Sequence, residues 1–458
     1  MNRKRIIEWS LIPTVLALAG PTMFEQLMQT AVQYIDTAMV GTLGTAATAA
    51  VGATTTVNWL IGGTISALSI GFLSLIAKAF GASDGESAKK VSAQSVTAVI
   101  VSGIFFTILT LSLASKVPVW MQVDEPIQKL AATYFFILYM PMLPRAATII
   151  FGTVLRSAGD TKTPMLIGIF VNAVNVILNF LLIYDTRTVI LFDRSITLYG
   201  AGLGVIGAAI ASAVAFTLGG IVITVALLCH KKISPLGYSF KPDAKILRPA
   251  MKVAVPNMLQ RFGTSLGYVF FASMINSLGE ISTAAHTIAN TVESAFYIPA
   301  YGMQTAAATL AGNALGAADK KRMHDYTRVI IFIEIAMMLV SGGLLFAFAP
   351  EMMRIFNKDI AVISLGTVVL RMVALSEPFY GICIALEGML QGIGNTKLPF
   401  VFNIIGMWGI RIVGTFICVT FFDGDLVSAW GCMILHNLVL FTMFLTYCTK
   451  RKNNPLYG

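Results

Sequence analysis

One apolar stretch near the N-terminus carries four polar side chains: Glu25, Gln29, Gln33 and Asp36. Their spacings of four, four and three put them on one face of a helix. An ionisable group inside a bilayer is costly unless it faces a cavity or a partner, so a stripe of this kind marks an ion or substrate path. Asp36 is the first choice for a coupling group. Burial favours the neutral form of a carboxylate and a bound cation favours the charged form, so such an acid can take up Na⁺ or H⁺ and release it when water enters. A second stripe, Asn172, Asn175 and Asn179, has spacings of three and four. Three amides in an apolar helix need partners. Their carbonyl oxygens suit a hard cation, and they serve equally as hydrogen-bonding glue between helices. Glu293, six residues before Pro299, has two readings: capture of a cation, or neutralisation by Arg261. Glu25, Gln29, Gln33, Asn172 and Glu293 are therefore the candidates for a substrate cavity. Glu387 is expected near a helix end and solvated.

Other chemistry is not signalled. There is no phosphate-binding glycine loop of the nucleotide-hydrolase type, so ATP is not expected to drive any cycle. His230, His286, His324 and His436 are not spaced as metal ligands, and His286 reads as a packed helix residue. The five cysteines form no CxxC pair. No enzyme, no organic cofactor and no metal site are expected, beyond a possible Na⁺ at Asp36.

The elements that must position these residues are long apolar helices. Apolar residues make up 56% of the 458 and charged residues 12%, about half of what a soluble domain carries; the mean hydropathy is +0.79. Apolar runs reach or approach the roughly 20 residues that cross a bilayer as a helix. They are continuous and do not alternate, which excludes a membrane barrel. The first run is too long for a signal peptide and reads as a retained helix. The expected spans are 9–40, 46–79, 91–115, 127–150, 162–184, 202–229, 247–277, 282–314, 326–349, 360–387, 396–421 and 426–449.

The net charge of +10 does not point to nucleic acid, because of where the charges lie. Of 32 Lys and Arg residues, 22 fall in one set of alternate loops and termini, 6 in the opposite set and 4 inside helices. That bias puts both termini in the cytoplasm of a multi-pass inner-membrane protein and requires an even number of helices. The polar connector His230 to Lys252 divides the chain, giving residues 1–230 as an N-terminal six-helix lobe, 231–252 as a cytoplasmic linker and 253–458 as a C-terminal six-helix lobe. The halves repeat: Pro21 with Pro256, Gly44 with Gly279, Gly81 with Gly316, Gly159 with Gly394 and Pro164 with Pro399 are all 235 positions apart. Six helices per half give both halves one orientation, with the substrate site expected between them.

Several strings carry a specific resemblance. Ile35-Asp36-Thr37-Ala38-Met39-Val40-Gly41 with Leu43-Gly44 is one, and Leu155-Arg156-Ser157-Ala158-Gly159-Asp160-Thr161-Lys162 is another. Gly204-Val205-Ile206-Gly207-Ala208-Ala209 and Ala284-Ala285-His286 with Gly316-Ala317 complete the set. In order and type these resemble the multidrug and toxic compound extrusion (MATE) family over nearly the whole chain. The resemblance implies an all-α integral membrane protein of about twelve helices in two parallel six-helix repeats, forming a V-shaped two-lobe transporter. It also implies antiport: a bacterial, monomeric pump exporting organic cations or other amphipathic compounds in exchange for Na⁺ or H⁺. The family's cation site maps onto Asp36, Asn175, Asn179 and Ser212. Some members have Asp at the position of Asn179, so this chain has one charge fewer there. Acids that some members carry on helices seven and ten fall near Gln260, Thr264 and Tyr380 and are not carried over. A flippase for lipid-linked oligosaccharide is the alternative.

Overall fold

A computed structural model describes residues 8–191 and 194–449; the basic termini (Arg3, Lys4, Arg5; Lys450, Arg451, Lys452) lie outside them. The chain forms α1 (Ile12–Gly41), α2 (Thr45–Gly81), α3 (Gly85–Leu113), a short α4 (Val117–Trp120), α5 (Glu125–Tyr139), α6 (Met142–Ser157) and α7 (Lys162–Leu182). A hairpin, β1 (Asp185–Leu191) and β2 (Arg194–Ala201), leads into α8 (Gly204–Cys229). Then follow α9 (Ala244–Asn276), α10 (Glu280–Gly316), α11 (Lys320–Phe356), α12 (Ile360–Ala374) and α13 (Glu377–Gly392). The last span is α14 (Lys397–Ile404), a π-helical segment (Ile405–Ile412) and α15 (Val413–Phe421), before α16 (Leu426–Thr449).

Among the described residues eight helices are long and apolar enough to cross a membrane, and two bent pairs raise this to ten. The two remaining long helices, α9 with 33 residues and α10 with 37, have the length but are more polar. The protein is thus a multi-pass helical membrane protein. Phe105, Ile108, Leu339 and Val340, all more than half exposed, are the kind of side chain that lipid covers at no cost.

Two expected spans are not single rods. Residues 127–150 break between Tyr139 and Met142 with a 51° bend, and 360–387 between Ala374 and Glu377 with a 53° bend. Pro141 lies in the first break and Pro378 opens α13 after the second; each lacks an N–H and disfavours helix in the residue before it. The breaks themselves are 235 positions apart. So are the turn residues forced into the left-handed region: Gly44 and Gly279 at φ 104° and 98°, Gly159 and Gly394 at 87° and 84°, Ser83 and Ala318 at 56° and 52°. The duplication read from sequence is thus repeated in the backbone. The hairpin is the exception to an all-helical chain, pairing Arg187 with Leu198 and Val189 with Ile196.

Residues group into two compact units. One holds Leu27–Phe72 and Gly85–Leu247; the other holds Met1–Gln26, Leu73–Asp84 and Arg248–Gly458. The boundary between the units falls within α1 and α2. Within the first unit, α8 meets α7 at two glycines: a Cβ at Gly207 would strike the Leu182 carbonyl and one at Gly219 the Val171 side chain. The second unit packs α10, α11, α13 and α16 around Met303, Leu310, Ile330, Met389 and Phe444.

Candidate functional site

The chemistry suggested by the first unit converges on three helices. Gly207 and Gly219 bracket Ser212 and press α8 onto α7, which runs antiparallel to it. With no side chain on the glycines, the Leu182 backbone and the Val171 side chain come directly against α8, so the helices approach closely. α1 is held by its last turn, where Thr42 donates to the Tyr184 hydroxyl at 3.2 Å and that hydroxyl donates to the Met39 carbonyl at 3.4 Å.

The result is a chain of polar side chains. Asn179 Nδ2 donates to Asp36 Oδ1 at 2.7 Å and also reaches Asn175 Oδ1 at 3.2 Å. Asn175 bridges to α8: its Nδ2 donates to Ser212 Oγ at 3.0 Å. Turned about, the same amide donates to the two Asp36 oxygens at 2.9 and 3.1 Å and accepts from Ser212 Oγ at 3.0 Å. Asn175 and Asn179 are buried; Asp36 and Ser212 are partly so. Asn179 Oδ1 is buried with no hydrogen-bond partner among the described residues, a costly state that a cation or water would relieve. Oxygens of a carboxylate, two amides and a hydroxyl are donors for a hard monovalent ion or a proton, not for a soft metal. Among the described residues no three His, Cys, Asp or Glu side chains group as metal ligands.

The cavity candidates divide between the two units. Asn172 is partly buried one turn before Asn175, while Gln29 and Gln33 are exposed. Glu25 and Glu293 are buried, 7% and 6% exposed, and belong to the second unit.

Two expectations in the second unit are corrected. The cation whose field Glu293 feels is Arg411, not Arg261. Glu387 is not solvated: it accepts from Gln260 Nε2 at 3.0 Å, Gln391 Nε2 at 2.9 Å and Asn403 Nδ2 at 3.2 Å, and Arg261 acts on it electrostatically. This amide cage draws on three helices, so no local spacing announces it. His286 is packed as expected, accepting from Trp430 Nε1 at 3.2 Å. Arg145 donates to Asn58 at 2.6 Å and lies over the Phe216 ring at 4.8 Å. Cys418 and Cys432 bring their sulfurs to 3.8 Å, a contact their sequence spacing does not suggest.

Outside the membrane, Asp160 in the Gly-Asp-Thr-Lys loop lies 3.8 Å from His230 at the end of α8. They line a cavity of about 630 Å³ with Thr163, Lys231 and Lys232. Partial burial holds the His230 imidazole below its usual protonation range, and Asp160 opposes the shift.

A family model described as MatE matches residues 21–181 and again 256–417, with starts 235 positions apart. A Thermotoga maritima protein called "Probable multidrug resistance protein NorM" is 26% identical over 439 residues, covering 96% of this chain and 92% of the relative. The Bacillus subtilis "Probable multidrug resistance protein YoeA" is 23% identical over 418 residues, 90% of this chain and 87% of the relative. Among solved structures, a MATE protein in complex with MaD3S superposes with a TM-score of 0.86 at 23% identity over 94% of both chains. A transporter of the MOP superfamily from Pyrococcus furiosus, described as having a binding pocket of reversed polarity, does so with a TM-score of 0.86 at 22% identity. At these identities the structures speak for the fold.

Proposed function

The chain belongs to the MatE family, and on that premise we propose that it is a secondary multidrug antiporter, exporting organic cations and other amphipathic compounds in exchange for inward movement of Na⁺ or H⁺. It works as a monomer in a bacterial inner membrane, with both termini in the cytoplasm and no cofactor. The names of the relatives, which speak of multidrug resistance, support this reading over a flippase for lipid-linked cargo.

The observation that carries the reading is the contact of Asp36 with Asn179 at 2.7 Å, beside Asn175 and Ser212. The carboxylate supplies the charge for which an entering ion competes. Asn175 ties the carboxylate to α8: its NH2 donates to Asp36 and its carbonyl accepts from Ser212. An ion can drive export only through a difference in its affinity between the two access states. Asp36 provides that difference if the state open to the outside binds the ion and the state open to the cytoplasm releases it. The test is ethidium efflux from proteoliposomes under an imposed Na⁺ gradient, an imposed pH gradient, and neither. Efflux that follows one gradient supports antiport and names the ion; efflux indifferent to both overturns the reading.

A further inference from the structure

Of the buried carboxylates in the second unit, Glu293 lies on α10 and Glu377 on α13, and the packing of these two helices sets them at one level. A Cβ at Gly388 would strike the Gln304 backbone and one at Gly392 the Ala308 backbone, so the two helices run parallel in close contact with an offset of 84 positions. Followed toward their N-termini in the same register, the seam changes character. Tyr380, one position off that register, stands against Tyr297, ring centroids 5.6 Å apart and perpendicular. One turn further, the offset sets Glu377 level with Glu293.

Both carboxylates are removed from solvent, Glu377 at 1% exposure and Glu293 at 6%. They feel each other's charge, and Tyr297 feels both. Neither oxygen of Glu377 has a hydrogen-bond partner among the described residues. A buried carboxylate without partners is among the costliest groups a fold can hold, so its place needs a ligand to explain it. The walls are aromatic. Tyr301 continues the α10 face one turn beyond Tyr297 at 6.0 Å, and Tyr297, Tyr301 and Tyr380 are all only partly buried. Rings around a carboxylate pair form a surface for a large, weakly hydrated cation, whose charge is attracted to ring faces as well as to the acids.

The surrounding charges set the balance. Arg411, on the π-helical segment, acts on Glu293 and stacks over Tyr268 at 5.2 Å and Phe271 at 5.4 Å. His286 and His436 lie in the field of Arg411. On α11, Glu334 is fully buried and packs against Gly381. Two carboxylates that feel each other's charge resist joint ionisation. One Arg411 charge and one shared proton neutralise the pair, and an arriving monocation replaces the proton.

We propose that Glu293 and Glu377, walled by Tyr297, Tyr301 and Tyr380, bind the cationic head of an organic cation and release a proton as it enters. The inference rests on the antiport reading for its cargo and adds a binding site remote in sequence from Asp36.

The test is ethidium binding to the purified full-length protein in detergent, by fluorescence anisotropy, with proton release followed by an indicator dye in weak buffer. The wild type should release close to one proton per ethidium bound. Glu377→Gln should bind at least tenfold more weakly and release none. Tyr380→Phe keeps the ring and should bind within about twofold of wild type, whereas Tyr380→Leu should lose about tenfold. Unchanged binding in both Glu377→Gln and Tyr380→Leu, or binding without proton release, overturns the site. Because no gradient is present, that result leaves antiport standing if the same variants still pump. A wild type that shows no gradient-driven efflux defeats antiport whatever the binding measurement returns.

Discussion

Asp36→Asn separates charge from shape at the Asp36 cluster. The new amide is nearly isosteric. Its oxygen still accepts from Asn179 Nδ2 across the 2.7 Å contact, and a half-turn of the Asn175 amide, whose NH2 faces Asp36, brings its carbonyl to the new NH2. A charge-assisted hydrogen bond, worth about 1.5–3 kcal/mol, gives way to a neutral one of about 0.5–1.5 kcal/mol, while the cost of burying a charge disappears. These effects oppose each other, so the variant should fold with stability within about 1 kcal/mol of wild type. Ion binding is another matter. A monovalent cation roughly 4 Å from the carboxylate charge gains about 4 kcal/mol at the effective dielectric of a protein interior. At about 1.4 kcal/mol per tenfold, losing it weakens the ion nearly a thousandfold, and no proton site remains. In proteoliposomes, ethidium efflux driven by a Na⁺ or pH gradient should fall to the level of protein-free vesicles, while thermal unfolding barely moves. Gradient-driven efflux at the wild-type rate would remove Asp36 from the mechanism. A variant that fails to fold would refute the hydrogen-bond accounting.

Two more predictions follow from the packing and from the loop. Gly207→Ala puts a methyl group into the Leu182 carbonyl and pries Ser212 from Asn175, so it should cost about 1–3 kcal/mol by thermal unfolding and slow gradient-driven efflux; Gly62→Ala, with nothing within 4 Å, is the neutral control. Asp160→Asn removes the group that opposes burial at His230, so the imidazole midpoint, read by NMR, should move further below the usual value of about 6.5. The sign for stability is fixed: the unfolded chain takes up this proton first, so acidification from neutral pH through that range weakens the fold at His230.

What the sequence makes legible is what depends on period and register. Helical spacing alone puts Asn172, Asn175 and Asn179 on one face, and the 235-residue offset anticipates where turns and breaks recur, down to the matched φ of Gly159 and Gly394. What it hides depends on side chains from distant segments meeting. Glu387 reads as a solvated helix-end acid until Gln260 and Asn403, more than a hundred residues apart, close on it. Glu293 and Arg261 share an apolar half, yet the cation whose field reaches the acid is Arg411. The hairpin at 185–201 carried a faint signal: Thr188, Ile190, Ile196 and Tyr199 are strand formers, but a segment this short is easily absorbed into a loop.

The duplication explains why the two halves can share a backbone and differ in chemistry. The positions 235 residues beyond Asp36 and Val176 are Phe271 and Arg411. In the first unit a carboxylate is held by amides from α7. At the corresponding place in the second unit a guanidinium lies 5.4 Å from the centre of the Phe271 ring, and its Nε and Nη1 find no hydrogen-bond partner among the described residues. A small cation drawn to Asp36 would meet a fixed positive charge at the repeat-equivalent position, where its binding is opposed electrostatically. The matched geometry of bends and turns therefore sets how the helices are arranged, and the identity of two side chains gives the two halves opposite local charge. Restoring the acid alone, as Phe271→Asp, should pair with Arg411 and leave the second half unable to hold Na⁺, measurable as an unchanged ion requirement for efflux. A second Na⁺ dependence appearing in that variant would show that Arg411 does not govern the difference between the halves.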